Sequence, residues 1–387
     1  MFNFTALPPL TLYIHIPWCI RKCPYCDFNS HEAGAQVDET GYVDALVADL
    51  AQDLPRVWGR QVQSVFIGGG TPSLFSAEAL DTLLSHIRAM VQLQPLAEIT
   101  LEANPGTVEA GRFREYRALG INRLSIGVQS FNDERLQRLG RIHDGRQARL
   151  AAEAAHQAGF DDFNLDLMFA LPGQSEAEAV ADIDTAIALS PSHISHYQLT
   201  LEPNTPFHAQ PPGGIPEDDA IWAMQEACQA RLAEAGFEHY EVSAYARKGH
   251  QCLHNLNYWE FGDYLGIGAG AHGKISDGAR QQITRLAKQR HPRRYLEQAG
   301  QAGVISSETR LSPYEAGLEF MMNALRLTQG FPPHLFSQHT GLALKQVEKE
   351  LTLAEEKGLI EWNIERIRPT PLGERFLNEL VGLFISE

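Results

Sequence analysis

Short apolar runs alternate along the first two-thirds of this chain with longer stretches in which apolar positions recur every three or four residues. The runs at 12–16, 64–67, 98–101, 123–128, 163–169 and 194–201 end in polar or glycine-containing loops and predict strands. The periodic stretches at 40–54, 77–90, 109–119, 146–158 and 176–189 predict helices. Ser76 and Ser175 stand where helix N-caps belong, and Gly120 and Gly159 where helices stop. Six strand–helix units imply an α/β protein with a parallel sheet and right-handed crossovers. The pattern alone does not decide between an open sheet and a curled one.

The rhythm then changes. The Pro/Gly-rich piece 210–216 reads as a loop, and 217–235 as a helix with Ile221, Met224, Cys228 and Leu232 on one stripe. A mixed region follows over 237–278, glycine-dense at 262–273. From about residue 311 the pattern predicts helices at 314–327, 333–339 and 344–357, a strand pair at 359–362 and 366–369, and a last helix at 372–383. Helices followed by a small hairpin suggest a winged-helix-like module used for packing or partner docking. The expected division is 1–235 for the α/β core, 236–310 for an extension, and 311–387 for the C-terminal domain.

Composition narrows the function. A net charge of −16 argues against nucleic acid or an anionic membrane surface as partner. No apolar run approaches membrane-span length, and residues 1–9 lack a signal core, so a cytoplasmic protein is expected. The five cysteines do not read as a disulfide framework. A homodimer is compatible with the sequence, which names no interface.

The chemistry gathers at predicted strand ends, where α/β proteins place ligands. After the first strand come Cys19, Cys23 and Cys26, spaced Cys-x₃-Cys-x₂-Cys. Three thiolates so close suit a soft metal or an iron–sulfur cluster, and three cannot fill four corners of a cubane, leaving one iron open. A zinc site with a distant fourth ligand is the alternative. The next strand ends in Gly68-Gly69-Gly70-Thr71-Pro72, whose glycines allow close backbone approach to a ligand and exposed N–H groups. Further on come Glu102, Gln129 with Arg141 after it, and Asp166, each a polar group at or in an apolar strand and in need of a partner.

The cysteine motif and the triple glycine resemble the radical S-adenosylmethionine (SAM) proteins. Tyr13-x-His15-Ile16-Pro17, Gly127-Val128-Gln129-Ser130-Phe131 and Asp166-Leu167 narrow the resemblance to the family of oxygen-independent coproporphyrinogen III dehydrogenase (HemN) and its relatives, over nearly the whole chain. It implies a partial (β/α)₆, TIM-like barrel. It implies a [4Fe–4S] cluster on Cys19, Cys23 and Cys26, and SAM contacts from Tyr13, Tyr25, Gly69, Gly70, Thr71, Glu102, Gln129, Arg141 and Asp166. Two departures point to the HemW branch of haem chaperones: Phe28 stands where the dehydrogenases carry a further cysteine, and only twelve residues precede Tyr13. His254-Asn255-Leu256-Asn257-Tyr258-Trp259 is similar to the HNxxYW motif of that branch, which implies haem contacts from His254, Asn255, Tyr258 and Trp259. Cys252 is a rival soft ligand. The resemblance thus implies a protein that binds haem, a cluster and SAM and delivers haem to haem-accepting proteins such as respiratory enzymes. The alternative is an enzyme, the oxidative decarboxylation of coproporphyrinogen III to protoporphyrinogen IX.

Overall fold

The computed structural model describes residues 1–34 and 37–385, without the side chains of 107–110. The six expected strands are present as β1 (Leu10–Ile16), β2 (Gln61–Gly69), β3 (Gln92–Ala103), β4 (Arg123–Gln129), β5 (Phe163–Phe169) and β6 (His193–Gln198). They pair in parallel and in sequence order. Their outer apolar residues pack against the helices α1 (Glu39–Asp53), α2 (Ala77–Met90), α3 (Thr107–Ala118), α4 (Gly145–Gln157), α5 (Glu176–Ala188) and α6 (Asp218–Glu234). Ser76 Oγ accepts from Ala79 N, and Ser175 forms a reciprocal cap with Glu178, so both expected caps hold. Cys228 is buried in this core.

The sheet is larger than six strands. The region 237–310 adds β7 (Glu238–Glu241), β8 (Ala244–Ala246), β9 (Asp263–Ile267), β10 (His272–Asp277), β11 (Gln282–Lys288) and β12 (Ile305–Arg310). Among the described residues the order is β12-β11-β10-β9-β1-β2-β3-β4-β5-β6-β8-β7, and the two ends do not pair, so the sheet is open. β9 runs parallel to β1 on the flank away from β2, and the added strands beyond it alternate in direction. The short helix α7 (Leu253–Trp259) connects β8 to β9. It is capped by Glu98 of β3, which accepts from the backbone N–H of Leu253 (3.0 Å) and His254 (3.1 Å). A carboxylate there complements the exposed donors of the helix start.

Two buried carboxylate networks tie β9 to β11 into the core. Asp263 is fully buried and accepts from Lys274 Nζ (2.9 Å), Arg60 Nη1 (2.7 Å) and Ser276 N (2.9 Å). Burial works against its charge, but Lys274 and Arg60 outweigh that and hold its pKa below the usual carboxylate range. Lys288 reaches back to Asp49 and Asp53 of α1.

The C-terminal domain has its own apolar core, which also takes in Phe261, Ile283 and Phe4. Its helices are Pro313–Ala324, Pro333–Thr340 and Glu348–Glu356, followed by the hairpin Ile360–Trp362 and Ile367–Pro369. Two expected helices are broken. The 344–357 stretch starts as a 3-10 turn, Leu344–Gln346, and restarts after Val347. The last splits at Phe376 (φ −112°, ψ 45°) into Pro371–Arg375 and Leu377–Gly382. Near the N-terminus, Asn3 N donates to Gly341 O (2.7 Å) and Phe4 N to Gln281 Oε1 (2.6 Å). No helix among the described residues is long and apolar enough to cross a membrane.

Candidate functional site

The cysteine loop is a closed structure. Trp18–Cys19 pairs with His31–Glu32, and Lys22 Nζ crosses it to the carbonyls of Phe28 (3.2 Å) and Ser30 (3.1 Å). Asn29 Nδ2 fastens it to the carbonyls of Ala269 and Arg290, both at 2.8 Å. The turn Cys26 N to Cys23 O (3.1 Å) brings the second and third cysteines round. Burial pushes the Cys19 and Cys26 thiols up, so iron binding at these sulfurs displaces protons.

The glycines at the end of β2 serve this loop. Gly70 N donates to Ile16 O and Thr71 N to Trp18 O, both at 2.7 Å. A Cβ on Gly70 would stand 2.5 Å from Trp18 O, and one on Gly69 (φ +113°) 2.5 Å from the His15 ring. Bare backbone is therefore what lets β2 lie against the cysteine loop. The N–H groups of 69 to 71 are used within the protein, Gly69 N going to Glu102 Oε2 (2.9 Å). The sequence suggested that they were exposed for a ligand.

Arg141 joins three strand ends. Its Nη2 donates to Gly127 O and Asn104 Oδ1, both at 2.7 Å, and its Nη1 reaches Cys23 Sγ at 3.5 Å. Burial works against the guanidinium charge, but Tyr25 and Cys23 raise its pKa above the usual range. Asn104 passes the connection to Thr71 Oγ1 (2.8 Å). Gln129 sits at a register shift of β4 with φ +67° and accepts from Tyr197 OH (2.8 Å). Asp166 accepts from Ser125 Oγ (3.0 Å) and Asn164 Nδ2 (2.8 Å), and burial raises its pKa. Burial and the nearby Asp166 push Glu102 up to about 7.

Fifteen of the sixteen expected site residues line one cavity of ≈470 Å³, the exception being Trp259. A second cavity of ≈680 Å³ adjoins it and is lined by Trp259. The two share Tyr13, Phe28, Gly69, Glu102 and Tyr258 as a common wall. Helix α7 thus splits its motif: His254 and Asn255 face the cysteine chamber, Trp259 the larger one, and Tyr258 both.

His254 lies deep, 1% exposed. Its Nδ1 pairs with Ser64 Oγ and its Nε2 with Tyr258 OH, both at 2.9 Å, and burial pushes its pKa down to about 3. Both nitrogens of the expected haem histidine are therefore occupied by protein partners. Cys252 is fully buried with its sulfur toward Glu98 Oε1 (3.6 Å), away from either chamber. Sequence reasoning missed Asn104 and Tyr197. Asn104 follows Glu102 at a strand end, and Tyr197 continues the inward alternation of His193 and Ser195 on β6.

Among the described residues no three His, Cys, Asp or Glu side chains converge where one ion could sit. A cubane makes no such demand, since each thiolate binds its own iron. Three soft donors face one cavity, and the remaining cysteines, Cys228 and Cys252, lie outside it. The donor set fits a three-cysteine cluster.

Residues 13–186 match the radical SAM superfamily, and 311–376 match the HemN C-terminal domain. Heme chaperone HemW of Haemophilus influenzae is 49% identical over 385 residues, covering 98% of this chain and 99% of its own. Heme chaperone HemW of Escherichia coli is 49% identical over 383 residues with the same coverage, and that of Bacillus subtilis 34% over 385, covering 97% of this chain. The solved structure of Escherichia coli coproporphyrinogen III oxidase (HemN), a radical SAM enzyme, superposes with a TM-score of 0.82 at 24% identity, covering 98% of this chain and 90% of that one. At that identity the superposition speaks to the fold, and it agrees with the α/β sheet and C-terminal helical domain described above. The sequence likeness extends over the full length: the chain belongs to the HemW family of radical SAM proteins.

Proposed function

We propose that this chain is a cytoplasmic haem chaperone that binds haem, carries a [4Fe–4S] cluster and SAM, and passes haem to haem-requiring proteins, respiratory enzymes among them. The observation that carries the reading is the 49% identity, over 98% of the chain, to two proteins named heme chaperone. Cys19, Cys23 and Cys26 hold the cluster. When bound, the cluster supplies an open iron for the amino and carboxylate groups of SAM and an electron for reductive chemistry on it.

The chain's own residues orient the ligand. Glu102, fixed by Gly69 N–H, would be one of the contacts that hold SAM. Arg141 keeps Cys23 and the end of β4 in place, while Gln129 and Asp166 offer acceptors along the far wall. Tyr13, Tyr25, Gly70 and Thr71 complete the enclosure. Phe28, 61% exposed on the wall common to both chambers, presents an aromatic ring where the dehydrogenases carry a thiol. This favours the chaperone over coproporphyrinogen III oxidation.

The test is an anaerobic haem titration of cluster-reconstituted protein, followed by visible absorbance, with coproporphyrinogen III turnover assayed on the same sample. Saturable haem binding without turnover is expected. Turnover without saturable haem binding would overturn the reading.

A further inference from the structure

The larger chamber holds more than the cysteine chamber and is chemically different from it. Its ≈680 Å³ falls in the upper part of the range of about 300–1,000 Å³ typical of small-molecule and cofactor sites. Flat aromatic faces, Phe28 and Tyr264 among them, line it. Two histidines contribute, His15 and His272. The His15 ring is committed on both sides, to Tyr13 OH and to Asn29 O, each at 2.9 Å. His272, at the start of β10, is exposed, and its ring has no hydrogen-bond partner among the described residues. Partial covering of the ring, then Arg285 and Arg290, lower its pKa from the usual histidine value.

The cations around this chamber differ in the same way. Lys274 is paired with Asp263, and Arg285 with Glu319. Arg290 is exposed, has no ion pair among the described residues, and belongs to the chamber lining. A free guanidinium on the rim of an aromatic cavity suits a planar ligand with carboxylate arms.

We propose that haem occupies this larger chamber, with His272 Nδ1 or Nε2 as the axial ligand to iron and Arg290 as the partner of a propionate. The assignment rests on the haem-chaperone reading above and adds the place and the ligand. It gives His254 a different role: the motif histidine holds Tyr258 and Ser64 together through its two ring nitrogens, and Tyr258 forms the partition. Haem therefore lies beside the cluster chamber, separated from it by Tyr13, Glu102 and Tyr258.

The experiment is a hemin titration of the full chain, wild type against His272→Ala, His254→Ala and Arg290→Gln, read by Soret and visible bands. Circular dichroism and SAM binding by the reconstituted variants report folding. Wild type should show an imidazole-ligated spectrum. His272→Ala should lose that spectrum while still binding SAM, and added imidazole should restore it. His254→Ala should keep the ligated spectrum. Arg290→Gln should weaken binding about tenfold, the worth of one charge-assisted hydrogen bond. If wild type binds haem and His272→Ala retains the same spectrum, the ligand assignment is overturned and the chaperone reading stands. If wild type shows no saturable binding, both fall.

Discussion

Replacing Glu102 with glutamine should stabilise the apoprotein and damage the SAM site, with both differences growing as pH rises. Burial first, then the Asp166 charge, moves this carboxyl from 4.5 to about 7, against the pull of the Gly69 N–H. Between those two values the folded chain keeps a proton that the unfolded chain has released. Folding stability therefore falls as pH rises through that window, and the full cost stands above pH 7. At about 1.4 kcal/mol per pKa unit the cost is at most about 3.5 kcal/mol. Glu102 faces two open cavities, so water returns part of it, leaving about 1–3 kcal/mol. Glutamine keeps an oxygen for Gly69 N–H and removes the charge. With an unfolding entropy of about 2 cal/mol/K per residue, the 387-residue chain should gain about 1–4 °C in melting temperature. The assay is calorimetry of cluster-free protein at pH 8 and pH 5, with SAM titration of reconstituted protein at pH 8. A variant no more stable than wild type at pH 8, or one whose gain is unchanged at pH 5, would refute the reasoning. Weaker SAM binding at pH 8 completes the expectation.

Other changes have defined outcomes. Gly70→Ala places a methyl 2.5 Å from Trp18 O, so it should cost about 1–3 kcal/mol and lower the iron and sulfide recovered after reconstitution. Cys23→Ser should abolish the cluster while leaving haem binding in place, since the proposed haem ligand lies in the other chamber; a surviving cluster would contradict the ligand set. Lys288→Met leaves Asp49 and Asp53 buried without their cation and should cost about 3–5 kcal/mol in urea denaturation.

The part of the site written in the sequence is the part carried by strand ends. β1 to β6 have apolar runs long enough to announce themselves, and each ends in a residue type that packing alone does not require. Their side chains meet because parallel strands bring all their C-terminal ends to one edge. β9 escaped because Asp-Tyr-Leu-Gly-Ile is short, begins with a charge and contains glycine; it is a strand because Asp263 is held by Lys274 and Arg60. The left-handed backbone of Gln129 depends on a register shift with β5, which local pattern does not encode. The motif histidine was legible as a special residue, but its partners Ser64 and Tyr258 decide what it does, and Ser64 lies 190 positions away.

The position of β1 has a consequence for the making of the protein. One edge of this strand is covered by β2, but the other waits for Asp263–Ile267, about 250 residues downstream. At about 5–20 residues per second a ribosome needs roughly 10–50 s to deliver that partner. Throughout that interval a nascent chain exposes an apolar strand edge, the kind of surface that recruits wrong partners. The cysteine loop that follows β1 waits longer still, since its anchors include the carbonyls of Ala269 and Arg290. Metal loading into a finished loop thus cannot begin before Arg290 has been made, and until β9 arrives the open edge of β1 is what folding assistance would have to protect.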